Sequence, residues 1–318
     1  MSLPQKKYLF VLLSSMFFLQ VGVSEARSRD HSRAESTQQD TDTSVKSHKH
    51  VRRHARRAEE EATEEPSRAR SLRVGAGKAM VINEETGEVL FAKNIDQVTP
   101  IASVTKLMTA MVVLDRDLPM DEEIEILNED VDYLKHSSSR LQVGTTFTRQ
   151  EALQLALMSS ENRAAASLGR TYPGGTAAFV AAMNQKARSL GMNNSHFEDP
   201  TGLNSANVST ASDLVKMVRA AHTYEMIQQI TTTASYELGV GQSKRPTLFN
   251  NTNRLVRAGA WDIGVSKTGY INEAGHCLVM QVQVQNTPVI LVLLDTWGKY
   301  SCPADAVRIH QWLERRGG

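Results

Sequence analysis

Apolar positions fall into three regimes along the chain. An apolar run from Tyr8 to Val23 follows Lys6 and Lys7, and the stretch from Arg27 to about Arg73 is polar and charged without one aromatic residue. From Val74 onward, apolar residues recur with the periods of strands and helices. Runs from Ala79 to Ile82 and from Val89 to Phe91 flank the turn-rich Asn83-Glu84-Glu85-Thr86-Gly87, which predicts a β-hairpin. From Ser103 to Leu114 the chain is apolar on nearly every face beyond its first turn, the pattern of a core helix. Residues 121 to 148 read as irregular with short strands. Thr148-Arg149-Gln150-Glu151 then forms a capping box that opens a helix through Met158. Further helices are predicted over 176–190, with Gly191 at the end, and over 212–222. The last third changes character. Strand-like runs at 264–267, 277–284 and 289–295 predict an antiparallel meander, and a helix over 304–315 covers one face. The order predicts an α+β fold, an antiparallel sheet flanked by helices.

Charge and composition change this picture mainly at the amino end. With Lys and Arg nearly balanced by Asp and Glu, the net charge of +1 gives no global pull toward nucleic acid. The apolar run has a core from Leu9 to Leu19 that is shorter than the roughly 20 residues of a spanning helix. Small residues at Ser24 and Ala26 then predict a signal peptide over 1–26 and no stable membrane span after its removal. Residues 27–73 predict a disordered charged linker, and 74–318 the folded domain. His48, His50 and His54 lie in that linker, where no second shell would orient a metal, so no metal site is expected. Cys277 and Cys302 allow one disulfide in an exported protein, with a buried free Cys277 as the default.

The residues able to do chemistry sit in three short elements. No His-Glu-x-x-His pair, Cys-x-x-Cys, Gly-x-Ser-x-Gly elbow or complete phosphate loop occurs, so no cofactor is expected. Ser103 and Lys106 lie three apart at a helix start and share a face. Burial, a second cation at Lys267 and the helix dipole would each disfavour the ammonium of Lys106, leaving an amine able to take the Ser103 proton. An ordinary alternative exists for Ser-x-x-Lys, an N-cap and a solvated lysine, but Lys106 lies in an otherwise apolar helix, where an unpaired ammonium costs several kcal/mol. Ser160 and Asn162 follow the helix ending at Met158, where a break would aim both at the same cleft; taken alone, Ser159, Ser160 and Asn162 read rather as helix caps. Lys267, Thr268 and Gly269 fall on a predicted strand edge to which a substrate could add, with Lys267 meeting a carboxylate or polar tail. The N–H groups of Ser103 and Tyr270 are the natural pair of oxyanion donors.

Together and in this order, Ser103-Val104-Thr105-Lys106, Ser160-Glu161-Asn162 and Lys267-Thr268-Gly269 resemble the motif set of penicillin-binding proteins and class A β-lactamases. Longer phrases are similar to low-molecular-mass D-alanyl-D-alanine peptidases. They are Ile101-Ala102-Ser103-Val104-Thr105-Lys106-Leu107-Met108-Thr109-Ala110, Leu157-Met158-Ser159-Ser160-Glu161-Asn162-Arg163-Ala164-Ala165 and Asp199-Pro200-Thr201-Gly202-Leu203. Phe249-Asn250-Asn251-Thr252-Asn253 and Ala274-Gly275-His276-Cys277-Leu278 resemble the endopeptidase branch. The resemblance implies a DD-peptidase/β-lactamase-like fold with a helical subdomain beside the cleft. It also implies a periplasmic enzyme acting on peptidoglycan stem peptides, with Ser103 acylated, Ser160 protonating the leaving amine, and β-lactams as covalent inhibitors. Other cell-wall enzymes are the partners it suggests. Glu161 departs from the commonest form of the second element, and its side chain need not face the site. Three alternatives stand beside the endopeptidase: a carboxypeptidase, an inactive wall-binding module, and a β-lactamase. The last would use Glu198 to activate water, although the following Asp199-Pro200-Thr201-Gly202-Leu203-Asn204 lacks the spacing of that loop.

Overall fold

The computed structural model describes residues 72–240, 245–299 and 301–317. The predicted signal peptide, most of the predicted charged linker and its three histidines lie outside the described residues. Five strands form the main sheet: β1 (Lys78–Asn83), β2 (Val89–Lys93), β9 (Asp262–Ile271), β10 (Gly275–Val284) and β11 (Thr287–Thr296), in the order β2-β1-β11-β10-β9, with every pairing antiparallel. The predicted hairpin and meander are therefore halves of one sheet, joined where Lys78–Asn83 pairs with residues 289 to 294. The β10–β11 turn is tighter than its composition suggested: Val284 pairs with Thr287, and Gln285 adopts φ 54°.

The sheet is buried on both faces, which explains why its central strands read as continuous apolar runs. In β11, Val289, Leu291 and Leu293 face one way and Ile290, Val292 and Leu294 the other. The first set packs with Ala306 and Ile309 of the carboxyl-terminal helix α8 (Ser301–Gly317). The second set joins a larger core built by helices. These are α1 (Lys106–Asp115), α2 (Arg149–Met158), α3 (Asn162–Arg170), α4 (Gly175–Ser189), α5 (Ala211–Ala221) and α6 (Glu225–Thr232). Cys277 and Cys302 are both free and buried, one in each cluster, and burial pushes their thiols up to about 12 and about 11.

Short pairs complete the fold: β3 (Thr99–Pro100) with β6 (Val208–Ser209), β4 (Glu123–Glu125) with β5 (Thr146–Thr148), and β7 (Ser235–Val240) with β8 (Arg245–Asn250), the last followed by α7 (Arg254–Ala258). The core helix begins later than its pattern predicted. A 3-10 turn over Ala102–Thr105 precedes α1, and Leu107, Met108 and Met111 are fully buried. In a 3-10 turn, residues three apart eclipse one another, so Ser103 and Lys106 share a face more closely than in an α-helix.

The capping box at Thr148 forms as predicted, with Thr148 Oγ1 accepting from the Glu151 N–H at 3.2 Å and Glu151 Oε2 accepting from the Thr148 N–H at 2.7 Å. It fixes the start of the helix that ends at Met158, just before Ser159 and Ser160. Thr148→Ala is expected to lower stability by about 1 kcal/mol in urea melts.

Candidate functional site

The nucleophile candidate stands on a clamped turn. Ala102, preceding Ser103, has φ 48°, a left-handed conformation that needs surrounding structure to hold it. Two glycines supply that hold. A Cβ on Gly202 (φ +80°) would lie 1.9 Å from the Ala102 carbonyl oxygen, and one on Gly269 of β9 would lie 2.9 Å from the Ser103 nitrogen. Only bare backbone fits at either position, so the turn sits directly against the Lys267 strand.

Lys106 is fully buried, and its Nζ lies 2.8 Å from Ser103 Oγ, 2.7 Å from Asn162 Oδ1 and 2.6 Å from the Thr201 carbonyl oxygen. An ammonium would donate to all three. A neutral amine has two N–H groups and one lone pair, and neither the amide oxygen nor the carbonyl can donate to that lone pair. Only the Ser103 hydroxyl can. Neutral Lys106 is thus wired to accept the Ser103 proton. Burial drives the Lys106 pKa down to about 7, while Asp199 and Glu161 pull it back up. The expected contribution of Lys267 falls elsewhere: Lys267 is itself held well below the usual lysine range, first by burial and then by the charge of Lys106.

Ser160 and Asn162 sit at the break between α2 and α3, as expected. Ser160 takes φ 61°, and its Oγ accepts from Lys267 Nζ at 2.9 Å; Lys267 also donates to the Thr268 carbonyl at 2.8 Å. The three sequence elements are therefore joined through two lysines, Lys106 to the first and second, Lys267 to the second and third. Among the described residues strand β9 pairs with β10 alone, so its other edge is available to the cleft. Thr268 Oγ1 donates to or accepts from Thr252 Oγ1 at 2.6 Å. The Tyr270 side chain is exposed and stacks on His276, with ring centroids 4.4 Å apart, which leaves only its backbone as a contributor to the cleft.

Supporting residues complete the site, and of these Asn207 carried no signal in the sequence. Asp199 Oδ1 accepts from the Gly202 N–H at 2.7 Å and Oδ2 from Asn204 at 2.8 Å, shaping the turn that presents the Thr201 carbonyl to Lys106. Buried Asn207 ties this turn to the nucleophile segment, donating to Thr105 Oγ1 at 3.1 Å and to the Asp199 carbonyl at 2.9 Å. Asn253 Nδ2 donates at 2.7 Å to Oγ of Ser266, the residue immediately before Lys267 in β9, giving part of the Phe249 to Asn253 phrase a structural task. Glu161 is buried and turned toward residues 131–140, where Ser139 Oγ donates to it at 2.7 Å. Glu198 is at the surface, 2.6 Å from His196.

Comparison with known proteins is consistent throughout. Residues 61–298 match the family described as D-alanyl-D-alanine carboxypeptidase. D-alanyl-D-alanine endopeptidases from Pseudomonas aeruginosa and Escherichia coli are each 48% identical to this chain, covering 76% of it and 78% of their own length. Among solved structures, a Streptomyces DD-transpeptidase aligns with a TM-score of 0.70 at 29% identity, covering 76% of this chain and 97% of that one. A D-alanyl-D-alanine carboxypeptidase from Mycobacterium tuberculosis aligns with a TM-score of 0.67 at 26% identity, covering 76% and 91%.

The buried lysines impose a pH dependence on stability. Both pKa values are lower folded than in an unfolded chain, so above about pH 7 the unfolded state binds more protons and stability from these groups rises with pH. As pH falls through 7, Lys106 becomes charged in both states and its contribution is lost. The raised cysteine values reverse the trend only near and above pH 9. Lys106→Met, which carries no ammonium, is expected to gain stability relative to wild type at pH 6, with the advantage shrinking by pH 9 in urea melts. A difference that stays constant with pH would contradict this assignment.

Proposed function

The chain belongs to the D-alanyl-D-alanine carboxypeptidase family and is a serine-type DD-peptidase, and we propose that it hydrolyses D-alanyl cross-links between peptidoglycan stem peptides through an acyl-enzyme on Ser103. The observation that carries the assignment of Ser103 is the three-way environment of Lys106, in which the Ser103 hydroxyl is the one neighbour able to donate to a neutral amine. Ser103 Oγ attacks the D-Ala carbonyl carbon as its proton passes to Lys106 Nζ. The N–H groups of Ser103 and Tyr270 receive the oxyanion. Ser160, within reach of Lys267, donates its proton to the leaving nitrogen as the peptide bond breaks, and it recovers one from the lysine pair. Water then hydrolyses the ester. A β-lactam follows the same first steps, but its leaving nitrogen stays tethered to the acyl group.

In this scheme Asn162 orients a substrate amide, while Lys267, Thr268 and Gly269 receive the peptide along the free edge of β9, with Lys267 meeting its polar tail. The endopeptidase assignment draws on the Pseudomonas and Escherichia relatives named as such, and terminal D-alanine removal is the second reading, drawn from the family description. A β-lactamase role for Glu198 has no support, since its carboxylate faces His196 at the surface. We place the enzyme in the periplasm on the strength of the leader sequence. Among the described residues no helix is long and apolar enough to cross a membrane.

Two outcomes test this. Cross-linked muropeptide dimers incubated with the protein should yield monomers, followed by mass, and Ser103→Ala should abolish both this and labelling by a fluorescent penicillin. Loss of only a terminal alanine from pentapeptide monomers would move the protein to the carboxypeptidases. Because Lys106 must be neutral to act, the acylation rate should climb tenfold per pH unit below about pH 7 and level off above it.

A further inference from the structure

The strap formed by residues 131–140 is built with unusual care for a segment that the sequence marks only as irregular. Asp132 organises it from within: Oδ1 accepts from the N–H groups of Leu134 and Lys135 at 2.9 Å each, and Oδ2 accepts from that of Ser137 at 2.8 Å. His136 takes φ 52°, turning the chain immediately before Ser137. The strap's tip is fastened to the β9–β10 turn, where Lys135 pairs with Glu273. Its far end is fastened to Glu161, which accepts from Ser139 Oγ at 2.7 Å and pairs with Arg140 at 3.7 Å, while Arg140 also donates to the Leu248 carbonyl at 2.7 Å.

Between these anchors, Ser137 Oγ accepts from Asn162 Nδ2 at 2.9 Å, and the other end of the same amide, Oδ1, accepts from Lys106 Nζ at 2.7 Å. An amide can rotate to exchange its oxygen and nitrogen. A flipped Asn162 would point N–H donors at the lone pair that has to face Ser103. The Ser137 hydroxyl proton is committed to the Asp132 carboxylate, so Ser137 Oγ is left as an acceptor, which suits Nδ2 and works against that flip. We propose that Ser137 is a positioning residue, which fixes the orientation of the Asn162 amide and through it the proton acceptor. Glu161 serves the same end by holding the strap. The three consecutive residues of the second element then divide the labour: Ser160 meets Lys267, Glu161 holds the strap, and Asn162 joins the strap to Lys106.

This inference rests on the reading of Lys106 as the base, and its test has one arm that needs no turnover. The charged groups acting on Lys106 are Asp199 and Glu161, with Lys267 coupled to it from β9. None of them is altered by Ser137→Ala. A loosened Asn162 withdraws an acceptor that favours the ammonium, so the Lys106 pKa should move further down. Side-chain ¹⁵N titration of Lys106 in the full chain should show a lower midpoint in Ser137→Ala and recovery in Ser137→Thr, which keeps the hydroxyl. Acylation by a fluorescent penicillin, measured above pH 8, should fall by roughly tenfold in Ser137→Ala, within the range that small misplacements of catalytic groups produce. Its acid limb should shift to lower pH, and the melting temperature should stay close to wild type.

An unchanged Lys106 midpoint would overturn the proposal, whatever the rate does. So would a rate loss that tracks a fall in melting temperature and is not restored by Ser137→Thr. If wild type fails to react with penicillin while the midpoint still shifts, the assignment of Ser103 fails and the positioning role of Ser137 stands.

Discussion

Everything distinctive about this fold follows from placing two lysine side chains, Lys106 and Lys267, out of reach of water and within each other's field. A buried ammonium is expensive unless surrounded by acceptors, and two near one another are more so. The structure does not neutralise them with a contacting carboxylate, which would restore an ordinary charged lysine. It gives Lys106 two neutral acceptors and a hydroxyl, and gives Lys267 a hydroxyl and a backbone carbonyl. Asp199 and Glu161 act only from a distance, and each spends its carboxylate on other hydrogen bonds, Asp199 on its own turn and Glu161 on the strap. The result is one lysine, Lys106, held near neutrality and a second, Lys267, held well below the usual lysine range.

Such an arrangement tolerates little slack. A lysine has many rotamers, and its amine becomes a directional base only when every alternative position is filled. Much of the molecule outside the sheet does this filling. The Asp199 turn offers one carbonyl, the break between α2 and α3 offers one hydroxyl and one amide, and β9 closes the remaining side. The strained backbone at Ala102 and Ser160 belongs to the same economy of space: both residues lie where a relaxed helix would carry the reactive side chain away from its partner.

The sequence made the chemistry more legible than the scaffold. Ser103, Lys106, Ser160, Asn162 and Lys267 lie in short motifs, and the structure brings all five together. Helix α2 was readable because its cap and its apolar run agree, and the meander because its strands are long and apolar. The join between β1 and β11 was not readable, since two apolar strands of ordinary composition carry no mark of which partner they will choose. Helix α3 was hidden by its small residues: its buried face is Ala164, Ala165, Ser167, Leu168 and Gly169, and Leu168 is its one large apolar side chain. Asn207 and Ser137 were invisible for another reason. A single polar residue in a loop says nothing of its hydrogen-bond partner when that partner lies 25 or 102 positions away.

That join between the first and last strands of the main sheet ties the Lys267 strand to the amino end of the folded domain. Strand β9 is held in the sheet only by β10, β10 is completed by β11, and β11 is bracketed by β1. A chain without β11 would keep the hairpin of β9 and β10 but lose the strand that links it to β1. The cleft is thus a long-range product: the strand carrying Lys267 reaches its place beside the Ser103 turn through a pairing between the two ends of the folded domain.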